Sequence, residues 1–169
     1  NTIAELRRVP KEYGVEIDLR DQGNRLILQH DPFKDGEDFS DYLNDYQHSF
    51  LILNIKSERI EFRILELLKQ HNISRYFLLD CSFPMVYHLS KEGESNIALR
   101  FSEFEGTDTL VSMRGKAQWV WIDCFTRWSI NRKVFTLSIW MKRSRINRNF
   151  SNGTSLGIQG IFSGTSAGT

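Results

Sequence analysis

Short apolar runs separated by polar stretches fill residues 14–125, and they constrain the fold more than any other feature. The runs are GVEIDLR (14–20), FLILNIK (50–56), YFLLDC (76–81), IALRFS (97–102) and WVWIDCF (119–125). Runs as apolar as FLILNIK are typical of strands covered on both faces. After Ser57, which we expect to cap a helix, Ile60, Ile64 and Leu68 repeat at helical spacing up to about His71. Strands alternating with helices predict parallel α/β units joined by right-handed crossovers.

Smaller elements surround these runs. We expect a short helix at 3–9, an extended run at 25–31, a helix beginning near Pro84 and a short helix at 107–114. Thr2 and Glu5 have the spacing of a capping box, which predicts the start of the first helix. The polar, acidic stretch between residues 32 and 49 is expected to be a loop. A barrel and an open doubly wound sheet both satisfy this order of elements.

Charge divides the chain into two unlike parts. Residues 1–125 carry 15 Lys and Arg against 21 Asp and Glu, a net charge of −6, whereas residues 126–169 carry seven Lys and Arg and no acid, a net charge of +7. Basic residues interleaved with Trp128 and Trp140 are one feature of nucleic-acid binding. A disordered terminal segment explains the same composition, so we do not expect a nucleic-acid partner. No apolar stretch reaches the length of a membrane span, and a cytoplasmic protein is expected.

Two carboxylates are the first candidate site. Glu16 and Asp18 lie two residues apart on an expected strand, so both side chains project from one face. Paired carboxylates are natural ligands for a hard divalent cation such as Mg²⁺ or Ca²⁺. The solvated face of an edge strand gives the same pattern.

Five further strand-like runs carry polar residues at or near their ends. His30 is a candidate general acid or base, because its charge changes near neutral pH. Lys56 ends a very apolar strand, where a lysine either pairs with a carboxylate, binds an anion or begins a solvated loop. Arg100 alternates with apolar neighbours and would either contact a phosphate or form a surface salt bridge. Asp80 and Asp123 would either complete a pocket or serve as helix caps and turn acids.

In order along the chain, these residues resemble the glycerophosphodiester phosphodiesterase family, which belongs to the phosphatidylinositol phospholipase C-like phosphodiesterase barrels. The matching segments are Asn1-Thr2, Gly14-Val-Glu16-Ile-Asp18, Leu26-Ile-Leu-Gln-His30-Asp31-Pro32 and Leu53-Asn54-Ile55-Lys56. The family pattern runs from His-Arg and Glu-Asn-Thr through Glu-x-Asp and His-Asp to Glu-x-Lys. The resemblance covers about residues 1–125 and is densest up to Lys56.

The resemblance implies an incomplete TIM-type (β/α) barrel with parallel strands that hydrolyses a small phosphodiester with the help of Mg²⁺ or Ca²⁺. Glu16 and Asp18 would be the metal ligands, His30 one of two catalytic histidines, and Lys56 a catalytic and phosphate-binding cation. The barrel portion would span residues 1–125. A basic, weakly structured extension at 126–150 and a flexible Gly/Ser/Thr-rich tail at 151–169 would follow it.

Three departures from the family pattern bear on activity. The His-Arg motif, with the first strand and the second histidine, would precede Asn1, and the Glu of Glu-x-Lys is Asn54 here. The last barrel units are replaced by the basic segment. We therefore expect little hydrolysis by this chain. The alternative is a non-catalytic, degenerate barrel fragment that binds a phosphorylated ligand or a protein partner. The sequence does not indicate an oligomeric state.

Overall fold

The computed structural model describes residues 1–126, which form seven strands and five helices. In chain order the elements are α1 (Ile3–Leu6), β1 (Gly14–Gln22), β2 (Arg25–Leu28), β3 (Glu37–Asp38), α2 (Phe39–Asp45), β4 (Phe50–Ile55), α3 (Glu61–Gln70), β5 (Tyr76–Leu79), α4 (Phe83–Lys91), β6 (Ala98–Phe101), α5 (Asp108–Ser112) and β7 (Trp119–Ile122). None of these helices has the length and apolar composition needed to cross a bilayer. The tail expected at 151–169, and the extension expected at 126–150 apart from its first residue, lie outside the described residues.

The seven strands form two sheets, one of five strands in the order β3-β2-β1-β4-β5, in which β2 and β3 are antiparallel, and one of two strands, β6 and β7. β1, β4 and β5 pair in parallel, as do β6 and β7. A parallel bridge between Leu78 and Ile97 joins β5 to the β6–β7 pair. The parallel order predicted for these strands is confirmed, and the fold is mixed α/β. Within residues 1–126 the sheet is not closed, since β7 pairs there with β6 alone.

Strand residues alternate between two apolar clusters on opposite faces of the sheet. Leu51 and Leu53 of β4 belong to the larger core, which also contains Ile64 and Leu68 of α3. The residue between them, Ile52, belongs to a smaller cluster on the other face. Its other members are Phe77, Leu79 and Ala98, with Phe50, Trp119 and Trp121 packed against them. Both faces of the central strands are therefore covered, as their composition predicts.

The helix predicted from Ser57 to His71 begins later than expected, at Glu61. Arg59 has a φ of 68°, a left-handed conformation that interrupts a right-handed helix. The Ser57 hydroxyl does not cap the helix and instead accepts a hydrogen bond from the backbone N–H of Asp21 at 3.3 Å. The prediction of a Ser57 cap is therefore wrong.

The stretch expected to be a loop between residues 32 and 49 contains β3 and α2. The Asp38 carboxylate caps α2 by accepting the backbone N–H of Ser40 at 2.9 Å. The buried residues of α2 are Phe39, Tyr42 and Leu43. Their i, i+3, i+4 spacing is a helical signal, so the sequence contained this element.

Among residues 1–126, the first half of β1 has a neighbouring strand on one side only. Gly14–Leu19 pair with β4, whereas β2 pairs with Leu19–Gln22. Asn1 covers the free side at Asp18. Its Oδ1 accepts the backbone N–H of Asp18 at 2.8 Å, and its Nδ2 donates to the Asp18 carboxylate at 2.7 Å. Thr2 caps α1 by accepting the Glu5 N–H at 3.1 Å, but α1 ends at Leu6, before the expected Val9.

Candidate functional site

Strand alternation brings four polar side chains of β1 and β4 onto the face that carries the smaller apolar cluster. Asp18 is the register partner of Asn54, and Asn54 Nδ2 donates to Glu16 Oε1 at 3.2 Å. Lys56 follows β4 directly, and its Nζ lies 3.5 Å from Asp18 Oδ1. Glu16, Asp18 and Lys56, which the resemblance assigns to one site, therefore lie together on this face, although Glu16 lies in the first half of β1 and not at its carboxyl end.

A line of alternating acidic and basic side chains continues from Asp18, in the middle of β1, across the carboxyl ends of β4, β5, β6 and β7. Lys56 Nζ lies 3.8 Å from Asp80 Oδ2, and Arg100 donates hydrogen bonds to both Asp80 and Asp123. We call Asp18, Lys56, Asp80, Arg100 and Asp123 the charge chain. Their side chains are 16% to 30% exposed. Charges that are partly desolvated interact more strongly than charges on an open surface.

Arg100 is the central link between β5, β6 and β7 in the charge chain. Desolvation opposes its charge, but hydrogen bonding to Asp80 and the negative charges of Asp80 and Asp123 raise the pKa of the guanidinium. Asp123 also accepts the indole N–H of Trp121 at 3.1 Å. For Arg100, Asp80 and Asp123, which the sequence left open between pocket and surface roles, the structure therefore supports membership of one polar site.

The side-chain carbonyl oxygen of Asn54 has no hydrogen-bond partner among the described residues. The residue is 8% exposed, and its Oδ1 is buried without a hydrogen-bond partner. Next to it, desolvation and the charge of Asp18 raise the pKa of the Glu16 carboxyl. A hard cation would coordinate the unpaired Asn54 oxygen and would reduce the repulsion between the Glu16 and Asp18 carboxylates.

Negative charge exceeds positive charge in this region. Glu16 and the charge chain supply four carboxylates against two cations, a formal net charge of −2 when all are ionised. Within residues 1–126, no group of three or more His, Cys, Asp and Glu side chains is arranged to hold a metal ion. A cation here would depend on Glu16, Asp18, the Asn54 carbonyl and water as ligands.

His30 lies apart from these residues. The extended run predicted at 25–31 ends at Leu28. This strand, β2, is antiparallel to β1, and the chain enters a loop after it. The ring Nδ1 of His30 lies 2.9 Å from Asp31 Oδ1, and the side chain is 65% exposed. Hydrogen bonds from His30 and Lys34 lower the pKa of Asp31 to about 2.

The backbone next to His30 nevertheless hydrogen-bonds to Asp18, a member of the charge chain. The N–H of Gln29 donates to the backbone oxygen of Asp18 at 3.0 Å. Among the described residues, no hydrogen bond or ion pair joins the His30 ring to Glu16, Asp18 or Lys56. His30 is thus beside the site in the fold, with its ring paired elsewhere.

Asp80 and Asp123 are the two site members that the sequence left open between a pocket and a role as helix caps or turn acids. Each directly follows an apolar run, in the similar segments Leu79-Asp80-Cys81 and Ile122-Asp123-Cys124. An acid immediately after a buried parallel strand is the signal that could have identified them.

Comparison of the chain with protein-family models, with curated proteins and with solved structures gives no match.

Proposed function

We propose that this chain is an incomplete (β/α) barrel, related to the glycerophosphodiester phosphodiesterases, that binds a phosphodiester at the charge chain and hydrolyses it slowly with Mg²⁺ or Ca²⁺. The observation that carries the proposal is the position of Lys56 between Asp18 of β1 and Asp80, at the carboxyl ends of β4 and β5. Active sites of (β/α) barrels lie at this end of the strands.

The two cations of the charge chain retain donors for an anion. The ion pairs of Lys56, at 3.5 and 3.8 Å, are longer than a charge-assisted hydrogen bond of about 2.8 Å. Arg100 has five N–H donors, and its bonds to Asp80 and Asp123 leave others unused. Phosphoryl oxygens placed between Lys56 and Arg100 would therefore gain hydrogen bonds without breaking the charge chain.

The residues present fit a hard cation. Glu16 and Asp18 offer carboxylate oxygens, Asn54 offers the orphaned carbonyl, and the local excess of negative charge favours a divalent ion. When bound, such an ion would neutralise the non-bridging phosphoryl oxygens and stabilise the charge that develops in the transition state. Because Asn54 is neutral, we expect the affinity to be weak.

His30 is the proposed proton-transfer residue. Its contact with Asp31 orients the ring through Nδ1, so Nε2 is the nitrogen free to exchange a proton. The ring must turn from its exposed position to reach a phosphodiester at the charge chain. General acid–base catalysis contributes roughly 10² to 10⁴ in rate, which is why slow turnover is expected.

A second candidate function is binding of a phosphorylated ligand without catalysis. The separation of the His30 ring from Lys56, and the neutral Asn54 at the position of the family's Glu, favour this function. It requires the same anion and cation contacts but no proton transfer.

Calorimetric titration of the full chain with Mg²⁺ and Ca²⁺ tests the shared site. We expect weak binding that is lost in Glu16→Ala and in Asp18→Ala but retained in the matched control Asp41→Ala, which removes an exposed carboxylate from α2. Equal binding by all four proteins would reject the metal site.

Hydrolysis of bis-(p-nitrophenyl) phosphate then separates the two functions. Slow, metal-dependent turnover that disappears in Lys56→Ala and His30→Ala would support the hydrolase. Metal-dependent binding of the same compound without turnover would support the binding protein. Absence of both would reject both proposals.

A further inference from the structure

An open groove lies between the outer surfaces of α3 and α4. It is lined by two apolar residues of α3, one histidine of α4 and three residues that follow α4: Phe62, Leu65, His88, Glu92, Gly93 and Glu94. We call these residues the helix groove. The rings of Phe62 and His88 meet edge to face, with centroids 5.2 Å apart. The groove has a volume of about 570 Å³, within the range of about 300–1,000 Å³ for binding sites.

The helix groove combines apolar surface with negative charge. Its lining contains two carboxylates and no lysine or arginine. Among residues 1–126, no hydrogen bond or ion pair engages the Glu92 carboxylate. The ammonium group of the preceding Lys91 lies instead 5.4 Å from the centre of the Tyr87 ring. Glu92 is therefore able to pair with a cation from outside the described part of the chain.

Exposed aromatic rings mark the outer surface of the same two helices. Phe62 of α3 is 37% exposed, and Phe83 and Tyr87 of α4 are 51% and 49% exposed. Phe83 and Tyr87 lie four residues apart, on one face of α4. The outer face of a helix packed on a sheet is normally polar. This aromatic surface is therefore suited to a further contact.

The chain itself contains a segment of complementary composition. Residues 126–169 carry seven Lys and Arg and no acidic side chain, whereas residues 1–125 carry a net charge of −6. The apolar run VFTLSIW (134–140) ends at Trp140, and Lys142 and Arg143 follow it closely. An apolar group next to cations matches an apolar surface next to a carboxylate, and complementary charge fixes the register of such a contact.

This segment is long enough to reach the helix groove. Glu92 precedes β6 and Thr126 follows β7, so the groove and Thr126 lie toward opposite ends of the strands. A strand of four residues, such as β6, spans about 13 Å, and neighbouring strands are about 4.8 Å apart. Trp140 lies 14 residues after Thr126, and a chain of this length spans up to about 46 Å.

We propose that residues 134–143 dock in the helix groove of the same chain, with Trp140 against Phe62 and Lys142 paired with Glu92. The contact covers the exposed ring of Phe62 and gives the Glu92 carboxylate a partner. It also supplies acidic partners to a segment that has none of its own. The charge chain takes no part in it, so the contact is independent of phosphodiester binding.

Carbodiimide coupling of the full chain tests this contact, because the reagent joins a lysine amine to a carboxylate that touches it. Mass spectrometry of the digested protein should show an amide between Lys142 and Glu92. Coupling of Lys142 to Asp41, an exposed carboxylate of α2, should be severalfold weaker. Trp140→Ala, which leaves residues 1–126 unchanged, should lower the Lys142–Glu92 coupling about tenfold, as expected for a lost aromatic contact.

Two variants within residues 1–126 examine the groove side of the contact. Phe62→Ala should lower the coupling of Lys142 to Glu92 as much as Trp140→Ala does. Tyr13→Ala, which removes an exposed aromatic ring just before β1, should leave the coupling unchanged. Circular dichroism of both variants confirms that the fold is retained.

Coupling is then repeated on an equal mixture of isotope-labelled and unlabelled chains. Products that join a labelled chain to an unlabelled chain would assign the helix groove to the segment of a second copy and overturn the contact within one chain. Equal coupling of Lys142 to Glu92 and Asp41 would also overturn it. So would coupling to Glu92 that is unchanged in Trp140→Ala. None of these results bears on the phosphodiester site.

Discussion

Asp80 contacts both cations of the charge chain, with Oδ2 3.8 Å from Lys56 Nζ and Oδ1 accepting a hydrogen bond from Arg100. It does so with a φ of 62°, which is uncommon for a residue other than glycine. Aspartate adopts this region more readily than most residues, and here the conformation accompanies the contacts of the carboxylate with Lys56 and Arg100.

Replacement of Asp80 should destabilise the fold in two separable ways. Asp80→Asn removes the charge between Lys56 and Arg100 and should lower the free energy of unfolding by about 1–3 kcal/mol. Asp80→Ala should cost more, because alanine tolerates a left-handed backbone less well than asparagine does. Urea denaturation measures both, with Asp41→Asn as the surface control. Stability equal to that of the control in both variants would show that Asp80 does not hold the charge chain together.

Asn54→Asp should strengthen cation binding and weaken the fold without a cation. A third carboxylate beside Glu16 and Asp18 should raise Ca²⁺ affinity on the order of tenfold, since hard cations prefer charged oxygen ligands. Without a cation, like charges at a buried position should lower the melting temperature. Thermal denaturation with and without Ca²⁺ checks both effects, and Asn54→Ser, which is also neutral, is the control. If Ca²⁺ raises the melting temperature of Asn54→Asp no more than that of the unsubstituted chain, the cation binds elsewhere.

Glu61 should make the stability of the protein depend on pH. It begins α3 fully buried, and desolvation raises its pKa, although hydrogen bonds from its own backbone, from the Arg59 backbone and from Cys81 act in the opposite direction. A raised carboxyl pKa contributes stability at low pH, and this stability is lost as pH rises through the folded-state pKa. Glu61→Gln should therefore be more stable than the unsubstituted chain at pH 8, on the order of 1 kcal/mol, with little difference near pH 4.

Denaturant unfolding at several pH values measures this difference. Glu66→Gln changes an exposed carboxyl of the same helix and should show no such pH dependence. A parallel pH profile for Glu61→Gln and the unsubstituted chain would contradict the expected burial of charge.

His30→Ala should separate catalysis from stability. Because the ring is 65% exposed and its partner Asp31 lies in the same loop, its removal should change the free energy of unfolding by less than about 0.5 kcal/mol. Cation binding should also persist, since Glu16 and Asp18 are untouched. Any metal-dependent turnover should disappear. An unchanged rate would mean that another group transfers the proton.

The sequence predicted those parts of the fold that depend on short-range periodicity. Apolar runs such as residues 51–55 lie between two apolar clusters, one on each face of the sheet. Strands that are covered on both faces are typical of parallel sheets. The shared face of Glu16 and Asp18, and their meeting with Lys56, follow from the two-residue period of a strand and the common direction of parallel neighbours.

The remaining features depend on contacts between residues far apart in the chain. The bond from Arg100 to Asp123 depends on strand register, which the sequence of either strand does not contain. The left-handed conformation of Arg59 delays α3, although the apolar pattern extends before it. His30 seemed to end a strand, but the antiparallel return of β2 places it in a loop whose own acid binds the ring.

Within residues 1–126, the first half of β1 has one edge without a partner strand, and this edge affects how the protein behaves in concentrated solution. Unpaired strand edges are templates for β-sheet addition between molecules, which leads to aggregation. Two such edges brought together would also bring together the carboxylates of Glu16 and Asp18, whose repulsion opposes self-association. Lowering the pH protonates Glu16, whose carboxyl pKa is raised by desolvation and by the charge of Asp18, and removes part of that repulsion. Mildly acidic, concentrated solutions should therefore become turbid sooner than neutral ones.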